Sequence, residues 1–151
     1  MKRRSAFNLL AALTLIPVFI CSCAPTARIS SPELANIKKM TPPNGKALVY
    51  IIRPGGMMGS AVIFEITCDE REIGAVSPKQ FIYTVLEPGA HKFAMEGYNN
   101  SELFLSVQAN QVYYFADRVS TGLARVDLDE GTDLLKKSNL SADCLAYKVN
   151  K

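Results

Sequence analysis

Hydrophobic residues change their spacing three times along the chain. Residues 6–20 are mostly apolar, interrupted by Asn8, Thr14 and Pro17. That run is short for a bilayer span, which needs roughly 20 apolar residues. Residues 24–45 carry no sustained apolar period and include Pro25, Pro32, Pro42 and Pro43, the pattern of a linker. Within it, Ser31-Pro32 predicts one short helical turn, with Ser31 as N-cap and Pro32 at the first helical position. From Lys46 the period becomes two. Residues 47–53 form a continuous β-branched and aromatic run, as in a strand buried on both faces. Alternating segments follow at 61–68, 72–76, 81–86, 91–96, 103–108, 112–119 and 123–128. Asp69-Glu70-Arg71, Glu87-Pro88-Gly89, Gly97-Tyr98-Asn99-Asn100 and Ala109-Asn110 supply the turns between them. About eight short strands at this spacing predict an all-β fold, an antiparallel β-sandwich or barrel. Residues 131–139 predict a short C-terminal helix, with Thr132 as N-cap and Leu134, Leu135 and Leu140 docking it on the sheet.

Composition narrows this to one globular domain: 151 residues, 48% hydrophobic and 21% charged. The net charge of +3 is unevenly placed. Lys2, Arg3 and Arg4 precede Cys23 with no acidic residue among them, and the rest of the chain holds 14 basic and 14 acidic side chains. A basic nucleic-acid-binding surface is therefore not expected. The three basic residues and the apolar run after them have the layout of an export signal. Ile20-Cys21-Ser22-Cys23 resembles the bacterial lipobox, with a branched aliphatic residue at −3, a small residue at −1 and Cys at +1. The expected organisation is a signal peptide at 1–22, lipidation at Cys23, a tether at 23–45 and a sandwich domain at 46–151. Several acyl chains on one Cys anchor stably where a single chain does not. Ala24 lacks the carboxylate that commonly retains a lipoprotein at the inner membrane. The expected location is the outer membrane, facing the periplasm.

Candidate chemistry is sparse. His91 shares a strand face with Phe93 and Met95 and reads as a structural histidine; no spaced metal-ligand cluster or nucleophile–base set accompanies it. Gly55-Gly56-Met57-Met58-Gly59-Ser60 lacks the Lys of a P-loop and precedes a strand, so it reads as a hairpin loop. Asp127, Asp129, Glu130 and Asp133 lack EF-hand spacing and read as a solvated strand end beside a helix start. No catalytic, cofactor or metal site is expected, and the protein is not expected to be an enzyme. Once Cys21 leaves with the signal and Cys23 is acylated, Cys68 and Cys144 remain. In an exported protein they are expected to form a disulfide. Its loop of roughly 77 residues would contribute on the order of 4 kcal/mol.

The segments Ala47-Leu48-Val49-Tyr50-Ile51-Ile52-Arg53-Pro54, Gly59-Ser60-Ala61, Ile73-Gly74, Leu86-Glu87-Pro88-Gly89-Ala90-His91 and Val112-Tyr113-Tyr114-Phe115 together resemble the DUF2846 domain. The resemblance covers about residues 45–140, with Asn110 where the family usually has Gly. It implies a prealbumin-like or carboxypeptidase-regulatory-like sandwich, common on bacterial lipoproteins, and no activity. The expected role is a membrane-anchored, non-enzymatic interaction or structural module of the cell envelope. Its partners would be the membrane, through acyl chains on Cys23, and an envelope protein. The alternative is a small-ligand or glycan-binding domain using a concave sheet face or the loops around Met57 and Tyr98.

Overall fold

The computed structural model describes residues 29–56, 61–97 and 100–149. All seven residues of β1 (Ala47–Arg53) are buried, so both faces of this strand must be covered. Alternation sends Leu48, Tyr50 and Ile52 to one side and Val49, Ile51 and Arg53 to the other. Helices cover the first side. The Tyr50 hydroxyl donates to the Ile37 carbonyl of α1 (Ser31–Ile37) at 2.6 Å. The Tyr50 ring also stacks on Tyr114 of β7 (Val112–Arg118), at 5.5 Å between centroids. A second sheet covers the other side, where the Arg53 guanidinium lies 4.2 Å from the centre of the Phe64 ring.

One sheet runs β8 (Gly122–Val126), β7, β1, β4 (Gln80–Leu86) and β9 (Asn139–Leu140). The other runs β3 (Arg71–Val76), β2 (Phe64–Cys68), β5 (Gly89–Glu96) and β6 (Ser101–Val107). Phe93 and Phe115 meet across the gap, 5.9 Å between ring centres. The chain is thus mostly β in two facing sheets, as the alternation predicts. The pairing is not wholly antiparallel, however: β1 runs parallel to β7, and β4 parallel to β9. Parallel pairing needs a long connection. The whole second sheet supplies it between β1 and β7, and α2 (Leu128–Lys136) lies on the route to β9.

Three further expectations need correction. Part of the segment expected as a tether, 23–45, is packed structure from Ile29 onward. Ser30, not Ser31, caps α1, and its side chain accepts from the Glu33 amide. Ile37 is buried in the core, with Ile29, Leu34 and Met40 packed against it. The Tyr147 hydroxyl of α3 (Leu145–Val149) ties Glu33 down from the other end of the chain. Among the described residues, packing against the sandwich therefore starts at Ile29, ahead of residue 46. At the C-terminus, α2 starts earlier than predicted, because Asp127 caps it by accepting from the Glu130 amide at 2.8 Å. Gly131 falls inside the helix, where a Cβ would lie 2.4 Å from the Tyr114 side chain. The disulfide is also absent: Cys68 and Cys144 are both free and buried. Each thiol has its own surroundings. Cys68 ends β2 opposite Phe93, beside Asp69, and the Cys144 thiol donates to the Tyr83 carbonyl at 3.6 Å.

The Tyr50–Ile37 bond yields a first prediction. Tyr50→Phe removes the hydroxyl donor and leaves the Ile37 carbonyl only the Met40 amide at 3.3 Å, and should cost about 1 kcal/mol. Chemical denaturation would measure this, and protease cleavage near α1 should rise in step. Unchanged stability and unchanged cleavage would show that α1 docks by apolar contact alone.

Candidate functional site

The two ends of the sandwich carry its polar chemistry. At one end, β2 and β3 are joined by a two-residue turn, Asp69-Glu70, with both residues at positive φ (50° and 65°). Such left-handed pairs match the twist of a tight hairpin, and Asp tolerates the conformation better than most residues. The turn aims the Asp69 carboxylate at β5. Asp69 Oδ1 accepts from the Lys92 amide at 2.9 Å, and Oδ2 lies 2.7 Å from His91 Nδ1. His91 Nε2 faces the Glu87 carbonyl at 2.9 Å. Cys68, the last residue of β2, completes the group: one ligand atom each from Cys68, Asp69 and His91 lie within 4.8 Å of one another.

The electrostatics of this cluster follow from its contacts. The Lys92 amide, then the His91 ring, holds the Asp69 carboxyl below its ordinary pKa. Partial burial opposes charge on His91, but hydrogen bonds to Asp69 and to the Glu87 carbonyl outweigh it and raise the pKa. Burial, then the neighbouring Asp69 charge, pushes the Cys68 thiol up to about 12, so it is protonated at neutral pH. A groove beside the cluster is lined by Cys68, Asp69, Arg71, Glu72, Thr84 and Leu86. As a nucleophile, Cys68 is poorly placed: its thiol is kept neutral, and both ring nitrogens of His91 already face other acceptors.

At the opposite end, Arg53 and Asp117 project between the sheets from the adjacent parallel strands β1 and β7. Arg53 Nη1 donates to the Val62 and Val76 carbonyls at 2.6 and 3.3 Å. Asp117 is 1% exposed, and neither carboxylate oxygen has a hydrogen-bond partner. Burial pushes its pKa up to about 6, against the pull of the Arg53 charge. Pro54, Gly55, Pro78 and Ser120 line a pocket with these two residues.

The sequence-derived candidates are scattered. Cys23, Met57 and Tyr98 lie outside the described residues. Cys144 is fully buried just ahead of α3, against the Tyr83 carbonyl. Of the acidic stretch, Asp127 caps α2, Glu130 pairs with Arg118, and Asp133 pairs with Lys137 at 2.6 Å. His91, read as a structural residue, bridges Asp69 and the Glu87 carbonyl and lies beside Cys68. The sequence held one signal for this: a carboxylate and a thiol at a hairpin tip, and a His at the start of a later strand. Only the antiparallel pairing of β2 with β5 converts that signal into proximity.

Comparison with known proteins gives three findings. A family model described as "Protein of unknown function (DUF2846)" matches residues 43–132. A protein of Haemophilus influenzae (strain ATCC 51907 / DSM 11121 / KW20 / Rd), described as an uncharacterized protein, is 26% identical over 141 residues. That match spans 87% of this chain and 83% of the relative. Among solved structures, the N-terminal domain of AlgF from P. aeruginosa aligns with a TM-score of 0.43 at 15% identity. That alignment covers 56% of this chain and 94% of the other.

Proposed function

We propose that this chain, which belongs to the DUF2846 family, is a lipid-anchored cell-envelope protein whose sandwich serves as a non-enzymatic interaction module. The observation that carries the reading is Ile20-Cys21-Ser22-Cys23 behind the basic Lys2-Arg3-Arg4 and a short apolar run. The start of the packed domain sharpens it. Between Cys23 and Ile29 lie only five residues, 24–28. Fully extended they reach about 18 Å, much less than a tether extending to residue 45 would allow. On this reading the sandwich rides close to the bilayer and meets partners at the membrane surface. Among the described residues, no helix is long and apolar enough to cross a membrane. On this reading the anchor is acylated Cys23.

Cys23→Ala should remove the protein from the membrane fraction or leave an unprocessed precursor. Normal processing with full membrane retention would overturn the reading. Ala24 favours transport to the outer membrane, and the neutral charge balance after Cys23 leaves the acyl chains as the main hold. Density-gradient separation should recover the protein with the outer membrane, and protease added to intact cells should spare the domain. Recovery with the inner membrane would contradict the sorting, and digestion of the domain would contradict the periplasmic side.

A second reading, a small-ligand-binding sandwich, is favoured by the unpartnered Asp117 carboxylate at the Arg53 pocket. A buried acceptor of this kind suits a ligand that donates hydrogen bonds. Ligand-induced thermal shifts that vanish in Asp117→Ala would support this reading, and shifts that persist in the variant would count against that pocket.

A further inference from the structure

We propose that Cys68, Asp69 and His91 form a binding site for a divalent transition metal of the Zn2+ type, open on one side to the groove between the β2–β3 hairpin and β4. The donor set is the first support. A thiolate, an imidazole nitrogen and a carboxylate oxygen are the usual Zn2+ ligands, whereas Ca2+ and Mg2+ take oxygen donors. Bond lengths of about 2.0–2.3 Å to one ion place neighbouring ligand atoms roughly 3–4 Å apart. The three ligand atoms here lie within 4.8 Å of one another, so small side-chain adjustments bring them to one ion.

The way each ligand is held is the second support. The Glu87 carbonyl, 2.9 Å away, engages His91 Nε2 as an acceptor, which leaves Nδ1 directed at the cluster. Metal-bound histidines are commonly fixed in this way, with the other ring N–H given to a carbonyl or carboxylate. The Lys92 amide holds Asp69 Oδ1, leaving Oδ2 for a single metal bond. In the metal-free protein the three groups are already gathered, His91 by its ion pair to Asp69 and the Cys68 thiol by its hydrogen bond to the same carboxylate, so a metal would replace two protons at an assembled cluster.

The third support is the vacancy in the ligand count. Three protein ligands leave a fourth tetrahedral position, and the groove lined by Arg71, Glu72 and Thr84 lies on the open side. Water or a donor group from a partner would fill it. Binding balances without redox change. The S–H bond of Cys68 and the N–H bond at His91 Nδ1 break, metal–S, metal–N and metal–O bonds form, and two protons pass to solvent.

The experiment uses the full-length protein purified from membranes in detergent and stripped with a chelator. Zn2+ titration calorimetry should find one site per chain. Co2+ should give a thiolate-to-metal charge-transfer band that Cys68→Ser abolishes. Asp69→Asn and His91→Gln should each weaken Zn2+ binding at least about 100-fold, and Cys144→Ser should leave it unchanged. Should Cys68→Ser fail to fold, the half-exposed Asp69 carries the test, because Asp69→Asn leaves the core untouched. No saturable binding by the wild-type protein would overturn the proposal. Equal binding by wild type and Asp69→Asn would overturn it too.

Discussion

Gly74→Ala should destabilise the domain by at least about 3 kcal/mol and release the C-terminal segment. Gly74 sits in β3 at φ +144°, a region that side chains rarely adopt. A Cβ there would lie 2.5 Å from the Asp143 carbonyl oxygen and 3.2 Å from the Cys144 Cα. Both contacts are backbone, so no rotamer change relieves them. The strand can rotate, which disturbs pairing where β2 and β3 already shift register between Ile66 and Thr67. Otherwise the segment carrying α3 must leave. Departure would uncover Cys144, which is fully buried. Denaturant unfolding and native-state alkylation of Cys144 measure the two effects. Stability within about 1 kcal/mol of wild type, with Cys144 still protected, would contradict this packing.

Asp117→Asn should act in the opposite direction, raising stability at pH 8 by up to about 3 kcal/mol. The Asp117 carboxylate is buried without a hydrogen bond, and its pKa rises from 3.8 to about 6. The folded state thus holds this proton more tightly than the unfolded chain does. The stability linked to it is fully present below the unfolded pKa and is lost as pH rises through about 6. Asparagine carries no charge to desolvate, so the gain should appear above pH 7 and vanish near pH 4. Arg53 loses a nearby negative charge, but its donors to the Val62 and Val76 carbonyls remain. Unfolding curves of both proteins from pH 4 to 8 test this. A less stable variant at pH 8 would mean that attraction to Arg53 outweighs the burial penalty.

What the sequence disclosed was local. The run at 47–53, apolar up to its closing Arg53, matches β1 to the residue, because a strand covered on both faces is apolar nearly throughout. Asn110 takes the left-handed conformation expected at its turn, φ +61°. Residues 29–45 misled because proline and broken periodicity hide docking that rests on a few contacts, Tyr50 to the Ile37 carbonyl and Tyr147 to Glu33. The cap of α2 was missed because Asp127 also fits a strand alternation, and Gly131 reads as a helix boundary until Tyr114 is seen to need its space. The Cys68–Asp69–His91 cluster depends on β2 pairing with β5, more than twenty residues away in sequence. No local pattern encodes that register.

Anchoring at Cys23 is tested most directly by the intact mass of the protein extracted from membranes. Lipid attachment predicts a chain that begins at Cys23 and carries the added mass of a diacylglyceryl group and an N-acyl chain. A chain that retains residues 1–22, or one that starts elsewhere without added mass, would contradict it.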